Sequence, residues 1–234
     1  MLGHATRLAP AFLEGEKEYV AVLECHGPVP TDAASVIAEF EAPVYQKPPR
    51  KSAVSRRLRV REIYDLEVLE VGDRQILLRI RCESGTYVRK LCHDLGLALG
   101  TGAHMGHLRR TITEPFDDSS LHSTHELLDA LAFWLEDGDV DDLEAIVEPA
   151  ERMLEGLPSV TIAESAAESV ATGAPVYAPG VLEVEDELGG SVEDGADPLL
   201  ACYTPDGAAV CLGRLVGDPD ADAGTVVSLE RVLV

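Results

Sequence analysis

The residues best equipped for chemistry lie between positions 82 and 110. Ser84-Gly85 marks a tight turn there. Tyr87 and Arg89 follow where an apolar helical period begins, with Val88, Leu91, Cys92, Leu95 and Leu99 at helical spacing. An aromatic ring and a guanidinium at the start of a helix are what a site needs to stack a base and hold an anion. His104 and His107 stand three apart, but with no nearby Cys and no third ligand they do not make a metal site. A second cluster, residues 47–61, carries seven positive charges and no negative one, including Lys47, Arg50, Lys51, Arg56, Arg57 and Arg59. A positive segment of this kind is a candidate polyanion contact.

These groups need elements to position them. Residues 17–27 alternate and are rich in Val, Leu and Tyr, which predicts a strand, and residues 31–40 predict a short helix. Residues 43–60 contain Pro48-Pro49 and the basic cluster, so an exposed loop or hairpin is expected. Two strands, 61–71 and 74–82, flank Gly72-Asp73 as a hairpin. The helix at 86–99 should stop at Gly100, and 103–110 should be extended. Ser123-Thr-His-Glu126 is a capping box ahead of Leu127, Leu128, Leu131 and Trp134. A second helical stretch, 140–154, is interrupted at Pro149. Beyond Leu157-Pro158 the pattern changes to short strands, frequent Gly and Pro, and one small helix at 165–172 stopped by Gly173.

The fold class expected is therefore α+β, a mixed, largely antiparallel sheet with flanking helices plus a small β-rich module. The boundary falls between 1–157 and 158–234. No run of about 18 apolar residues is present to span a membrane. Five cysteines without a Cys-x-x-Cys pair point to reduced, packed thiols in a cytoplasmic protein and argue against zinc.

The net charge of -23 at first argues against a nucleic-acid partner, but its distribution does not. Residues 1–115 hold 16 of the 19 Lys+Arg and 15 of the 42 Asp+Glu, a net +1, which leaves −24 on residues 116–234. Only Lys17, Lys47, Lys51 and Lys90 are lysines. Acidic, lysine-poor composition fits the salty cytoplasm of a halophilic archaeon, because at molar salt the screening length falls to about 3 Å and dense acidic surface costs little.

Four segments carry a family resemblance: Glu-Lys-Glu-Tyr-Val at 16–20; Tyr-Gln-Lys-Pro-Pro-Arg-Lys-Ser-Ala-Val-Ser-Arg-Arg at 45–57; Gly-Thr-Tyr-Val-Arg-Lys-Leu-Cys-His-Asp-Leu-Gly at 85–96; and Gly-Ala-His-Met-Gly-His-Leu-Arg-Arg-Thr at 102–111. With them the chain resembles the dyskerin-type pseudouridine synthases of archaeal and eukaryotic H/ACA ribonucleoproteins, kin of the tRNA pseudouridine-55 synthases. The C-terminal stretch 158–234, with Ser165-Ala166 and Gly173-Ala-Pro-Val-Tyr-Ala-Pro-Gly-Val181, resembles the family's PUA module. The resemblance implies isomerisation of uridine in rRNA under an H/ACA guide RNA, at position 55 of tRNA, or both. It implies H/ACA protein subunits as partners, and neither metal nor organic cofactor. The uridine must be flipped out, because a stacked base hides its glycosidic face. By similarity, Tyr19 stacks on the target base, Arg89 pairs with the catalytic aspartate, Tyr87 and Leu108 wall the pocket, and the 45–61 segment closes over RNA.

The family's aspartate sits in a Gly-Thr-Leu-Asp-Pro motif that is not among these 234 residues. Met1-Leu-Gly-His-Ala-Thr-Arg resembles the stretch that follows the motif. Asp32, Asp65, Asp73 and Asp94 lack its context. The expectation is a synthase that starts after its own nucleophile, with an incomplete catalytic domain, low stability and no turnover as written. The alternatives are a non-catalytic RNA-binding protein and a scaffold subunit of the H/ACA particle. Retention of Tyr19, Tyr87 and Arg89 together favours the enzyme. The halophile reading is checked by following folding across a KCl titration: structure should build only toward molar salt, and full structure in dilute buffer contradicts it.

Overall fold

The computed structural model describes residues 1–48, 57–185 and 199–234. By contacts the chain divides into two compact units, Leu13–Leu121 and Met1–Phe12 with His122–Val234. The division falls inside a short helix, α1 (Ala9–Glu14). The expected change at Leu157-Pro158 falls instead where the second unit's sheet begins, at Ser159.

The Leu13–Leu121 unit is built on a six-stranded antiparallel sheet in the order β2-β3-β4-β1-β5-β6. Its strands are β1 (Lys17–Cys25), β2 (Pro43–Gln46), β3 (Arg59–Val71), β4 (Gln75–Cys82), β5 (Ala103–Thr113) and β6 (Phe116–Asp117). Alternation decides the faces. On β1 the odd residues Ala21, Leu23 and Cys25 are buried, and on β4 the even residues Ile76, Leu78, Ile80 and Cys82 are. The register Ala21↔Leu78 and Leu23↔Ile76 puts both sets on one side of the sheet. Two helices cover that side, α2 (Ala33–Ala38) through Ile37 and α3 (Val88–Ala98) through Val88, Leu91, Cys92 and Leu95. Each such aliphatic side chain contributes about 1.5–3 kcal/mol on full burial.

The inward residues expected on the 86–99 helix are all buried, and Gly100 ends it at φ 73°. Two boundaries differ from expectation. Tyr87 lies not in the first turn but at the N-cap, in extended conformation. The span 43–60 is not simply a loop, since Pro43–Gln46 pairs with β3 and Gln46 is 2% exposed. Prolines conceal an edge strand from any local reading, because an edge tolerates residues that cannot complete a ladder.

In the second unit, β7 (Ser159–Ile162), β8 (Val176–Tyr177), β9 (Val181–Val184), β10 (Leu199–Tyr203), β11 (Ala209–Leu215) and β12 (Thr225–Val232) form a sheet in the order β8-β12-β11-β10-β7-β9. One pair, β7 with β10, is parallel. Its core gathers Val160, Ile162, Leu200, Val210 and Val226 around Val170 of α6 (Glu164–Ala171). The capping box at Ser123 and Glu126 starts α4 (Thr124–Asp137), which is followed by α5 (Asp141–Ile146) and a 3₁₀ turn at Ala150–Leu154. The apolar stripe read on α4 is only partly covered: Leu128 is 57% and Trp134 45% exposed, with Phe133 and Leu135 open beside them.

Helix α3 meets β5 almost backbone to backbone. The Gly96 carbonyl accepts from the Gly102 N–H at 2.8 Å, and a Cβ added at Gly96 would stand 2.1 Å from the Ala103 nitrogen. Gly96→Ala therefore has no room to relax. It should lower unfolding stability by about 3 kcal/mol, measured by denaturant unfolding at fixed KCl.

Candidate active site

The open part of the helix-covered face begins at Tyr19. Its ring is half buried against the core, one step beyond Ala21 on β1. The neighbouring strand β5 places Arg110 opposite Tyr19 and Leu108 opposite Ala21, so all four share the face. Simple alternation could not do this, since Ala103 and Met105 already occupy the face at odd positions. The register shifts twice, between Val22 and Leu23 and between Glu18 and Tyr19. Each shift leaves one extra residue on β5, Gly106 and then Thr111, and reverses the parity of the residues beyond it. Met105, Leu108, Arg110 and Thr113 thus line up on one side. At the first shift a Cβ on residue 106 would stand 2.3 Å from Glu24 Oε1, so any residue but glycine there must push the Glu24 side chain aside.

The start of α3 is set by the turn before it. Gly85 takes φ 81°, a conformation open to glycine. Thr86 donates its hydroxyl to the Glu83 carbonyl at 2.6 Å. The Tyr87 N–H donates to Gln46 Oε1 at 2.8 Å, and the Tyr87 carbonyl accepts the first helical bonds from Lys90 and Leu91. Arg89 projects from the first turn, exposed, with no hydrogen bond or ion pair among the described residues. A cation is disfavoured at the positive end of a helix. Helix stability therefore does not explain Arg89, whereas an anionic partner would.

The ionisable groups around Tyr19 are held in defined states. Burial pushes the Tyr19 phenol above the ordinary tyrosine value, Cys82 adds to that, and the Arg110 guanidinium pulls the other way. The phenol is therefore neutral through the whole neutral range. Burial pushes the Cys82 thiol up to about 11 and the Cys92 thiol up to about 12, so neither is a nucleophile at neutral pH. Lys17, one residue pair below Tyr19 on the same face, is 6% exposed and donates its ammonium to the Gly15 carbonyl. Burial lowers its pKa, Arg110 lowers it further, and Glu114 opposes them.

Of the residues singled out in the sequence, Tyr19 and Leu108 stand on one face, and Tyr87 and Arg89 open the helix packed against it. The cation opposite Tyr19 is Arg110. Lys47, Arg57 and Arg59 are exposed, while Arg50, Lys51 and Arg56 lie outside the described residues. Arg61, from the same basic run, is committed to an ion pair with Glu83. Of the four aspartates without the family motif, Asp94 is bound to Lys90 along α3 and Asp65 faces solvent on β3. His104 contacts His26 at 3.1 Å and Glu24 at 3.4 Å. Lys17, Gln46 and Arg110 were missed. Lys17 did have a signal, as a charged residue in phase with the apolar positions of β1.

The chain is similar to known proteins along its whole length. The tRNA pseudouridylate synthase B C-terminal domain matches residues 89–155. The probable tRNA pseudouridine synthase B of Halobacterium salinarum is 63% identical over 242 residues, covering all of this chain and 79% of that protein. That of Haloarcula marismortui is 60% identical, covering 100% and 74%. Among solved structures, a chain of a Cbf5–Nop10–Gar1 complex superimposes with a TM-score of 0.89 at 39% identity, covering 100% of this chain and 71% of that one. A chain of an H/ACA RNP bound to a substrate RNA containing 2′-deoxyuridine gives 0.83 at 37% identity, covering 100% and 70%. The fold is thus that of the pseudouridine synthases. The chain belongs to the tRNA pseudouridine synthase B family.

The environment of Tyr19 makes a direct prediction. The ultraviolet difference titration of the wild type minus Tyr19→Phe should show a phenol that ionises above the ordinary tyrosine value. Arg110→Ala should move that midpoint higher still, because the cation that favours phenolate is gone.

Proposed function

We propose that this protein is an RNA pseudouridine synthase subunit that receives an extruded uridine between Tyr19, Leu108 and Tyr87. The observation that carries this reading is the alignment of Tyr19 and Leu108 on one open face through the register shift at Gly106, with Arg89, unpaired among the described residues, at the adjoining helix start. The Tyr19 ring offers a neutral stacking surface. Leu108, 42% exposed, offers an apolar wall that excludes water from one side of a base. Arg89 suits the family's catalytic carboxylate, which attacks or assists at C1′ and whose motif is not among these 234 residues. In the reaction the N1–C1′ bond breaks, the base turns, C5 bonds to C1′, and the proton leaves C5 while N1 gains one, so the product is an isomer of the substrate. The same reading has the enzyme act in rRNA under an H/ACA guide RNA, at position 55 of tRNA, or both. It places the activity in the cytoplasm, which the free, buried cysteines support. No helix among the described residues is long and apolar enough to cross a membrane.

Two further surfaces enter the proposal. Lys47, Arg57 and Arg59 stand exposed at either end of the basic run and suit phosphate contacts. Residues 158–234 would serve as the PUA module, with backbone donors and shape rather than charge doing the recognition, since Arg214 and Arg231 are its only fixed cations. H/ACA proteins are the proposed protein partners, and the uncovered Phe133, Trp134 and Leu135 of α4 are the kind of apolar surface such a partner would cover. The RNA reading is tested with Arg57→Ala/Arg59→Ala. RNA affinity should fall with the fold retained, and the slope of log K against log salt should flatten by about 1 for each phosphate no longer neutralised. An unchanged affinity and slope would contradict it.

A further inference from the structure

We propose that Gln46 is a positioning residue for the base pocket: its carboxamide, bonded to both main-chain groups of Tyr87, fixes where α3 starts and hence where Tyr87 and Arg89 stand. The inference rests on the reading of this pocket as the receiver of an extruded base.

Gln46 ends β2 and is 2% exposed, one of three buried polar or charged residues among those described, with Lys17 and Thr113. A buried primary amide is tolerated only where its donor and acceptor are both used. Here Oε1 accepts the Tyr87 N–H at 2.8 Å and Nε2 donates to the Tyr87 carbonyl at 3.3 Å. The side chain thus does to Tyr87 what a neighbouring strand residue would do, and only one orientation of the amide fits. Tyr87 has no side-chain cap of its own, and its backbone (φ −93°, ψ 94°) joins the Gly85 turn to the helix. Without Gln46, its N–H would lose the acceptor it has at 2.8 Å.

A second restraint acts four residues earlier. Glu83 is ion-paired with Arg61, and its Oε2 accepts the Glu62 N–H at 3.1 Å. Gly85 leaves space for that guanidinium, which lies 3.4 Å from where a Cβ would stand. Val44 pairs with Arg61 and Gln46 with Arg59, so both restraints come from the paired strands β2 and β3. Arg61 holds the turn at its start, and Gln46 holds it where the helix begins. Many side chains could fill the volume at position 46. Only a group with one acceptor and one donor in these places meets the N–H and the carbonyl together.

That requirement supplies the test. Gln46→Met keeps the volume and loses both bonds. Gln46→Glu reproduces the donor–acceptor pair only when protonated. Burial against a carbonyl raises such a carboxyl, so the switch should fall at mildly acidic pH. With ¹⁵N-tyrosine labelling, six amides are observed, and the Tyr87 protection factor is read directly. It should fall about tenfold in Gln46→Met. In Gln46→Glu it should fall at alkaline pH and recover on acidification. The pocket is read in parallel with a tRNA T-stem-loop carrying uridine or an abasic site at position 55. The wild type should prefer uridine. Gln46→Met should lose that preference while keeping its affinity for the abasic RNA, and Gln46→Glu should regain it at low pH. The inference is overturned if Gln46→Met leaves Tyr87 protection and the uridine preference intact, or if Gln46→Glu behaves like Gln46→Met at every pH. A wild type indifferent to the base would remove the pocket reading instead, while Tyr87 protection still judges the clamp.

Discussion

The contact on which the functional face depends is the approach of α3 to β5 at Gly96 and Ala103. There the helix backbone reaches the strand backbone with no side chain between them, and the Gly102 N–H closes the junction on the Gly96 carbonyl. Everything N-terminal on the helix is measured from that point. Leu95, Cys92, Leu91 and Val88 pack in succession toward the helix start, where Tyr87 and Arg89 stand. Close packing of this kind transmits position, because dense interiors absorb little displacement. A site made of one ring on a strand and another at a helix start needs such a fixed reference.

The helix, the hairpin and the capping box were legible because each rests on local physics. An apolar period of 3.6, a glycine where φ must be positive, and a Ser–Glu pair at capping distance need no knowledge of partners. The parity of β5 was not legible. Met105 and Leu108 differ by three, which no alternating strand can place on one face, and only the register with β1 reveals the extra residues. Gly106 was the available hint. Gln46 was hidden for a related reason. A glutamine between a tyrosine and Lys-Pro-Pro looks like solvent-facing loop until Tyr87 arrives from 41 residues away. Arg110 was not legible either, since the sequence shows which residues are cationic but not which one a strand register sets opposite Tyr19. On α4 the apolar stripe was visible, but its half-exposed state was not, because periodicity states a preference for burial and not its fulfilment.

Charge divides along the chain in the same spirit. The excess of basic residues is confined to the half that carries the proposed pocket, and several of them are already neutralised by carboxylates: Arg61 by Glu83, Arg79 by Glu67, Arg81 by Glu16 and Arg109 by Asp118. Among the described residues the set left without a carboxylate is as large, with Lys47, Arg57, Arg59, Arg89 and Arg110. Arg89 belongs to it, and its freedom at a helix end where a cation is unwelcome is what distinguishes it from the structural arginines around it.

The double register shift gives β5 an unusual relation to its own length. Most strands accept exchange of one residue type for another more readily than they accept change at a functional position. Here the spacer residues matter by number rather than by kind. Removing the one at 106 would rotate the downstream stretch by half a turn about its axis, sending Leu108 and Arg110 to the far surface, and removing the one at 111 would do the same to Thr113, while leaving the composition almost untouched. Lineages of this protein can thus drift in the identity of this stretch, within the space each side chain is given, but they are bound to its count.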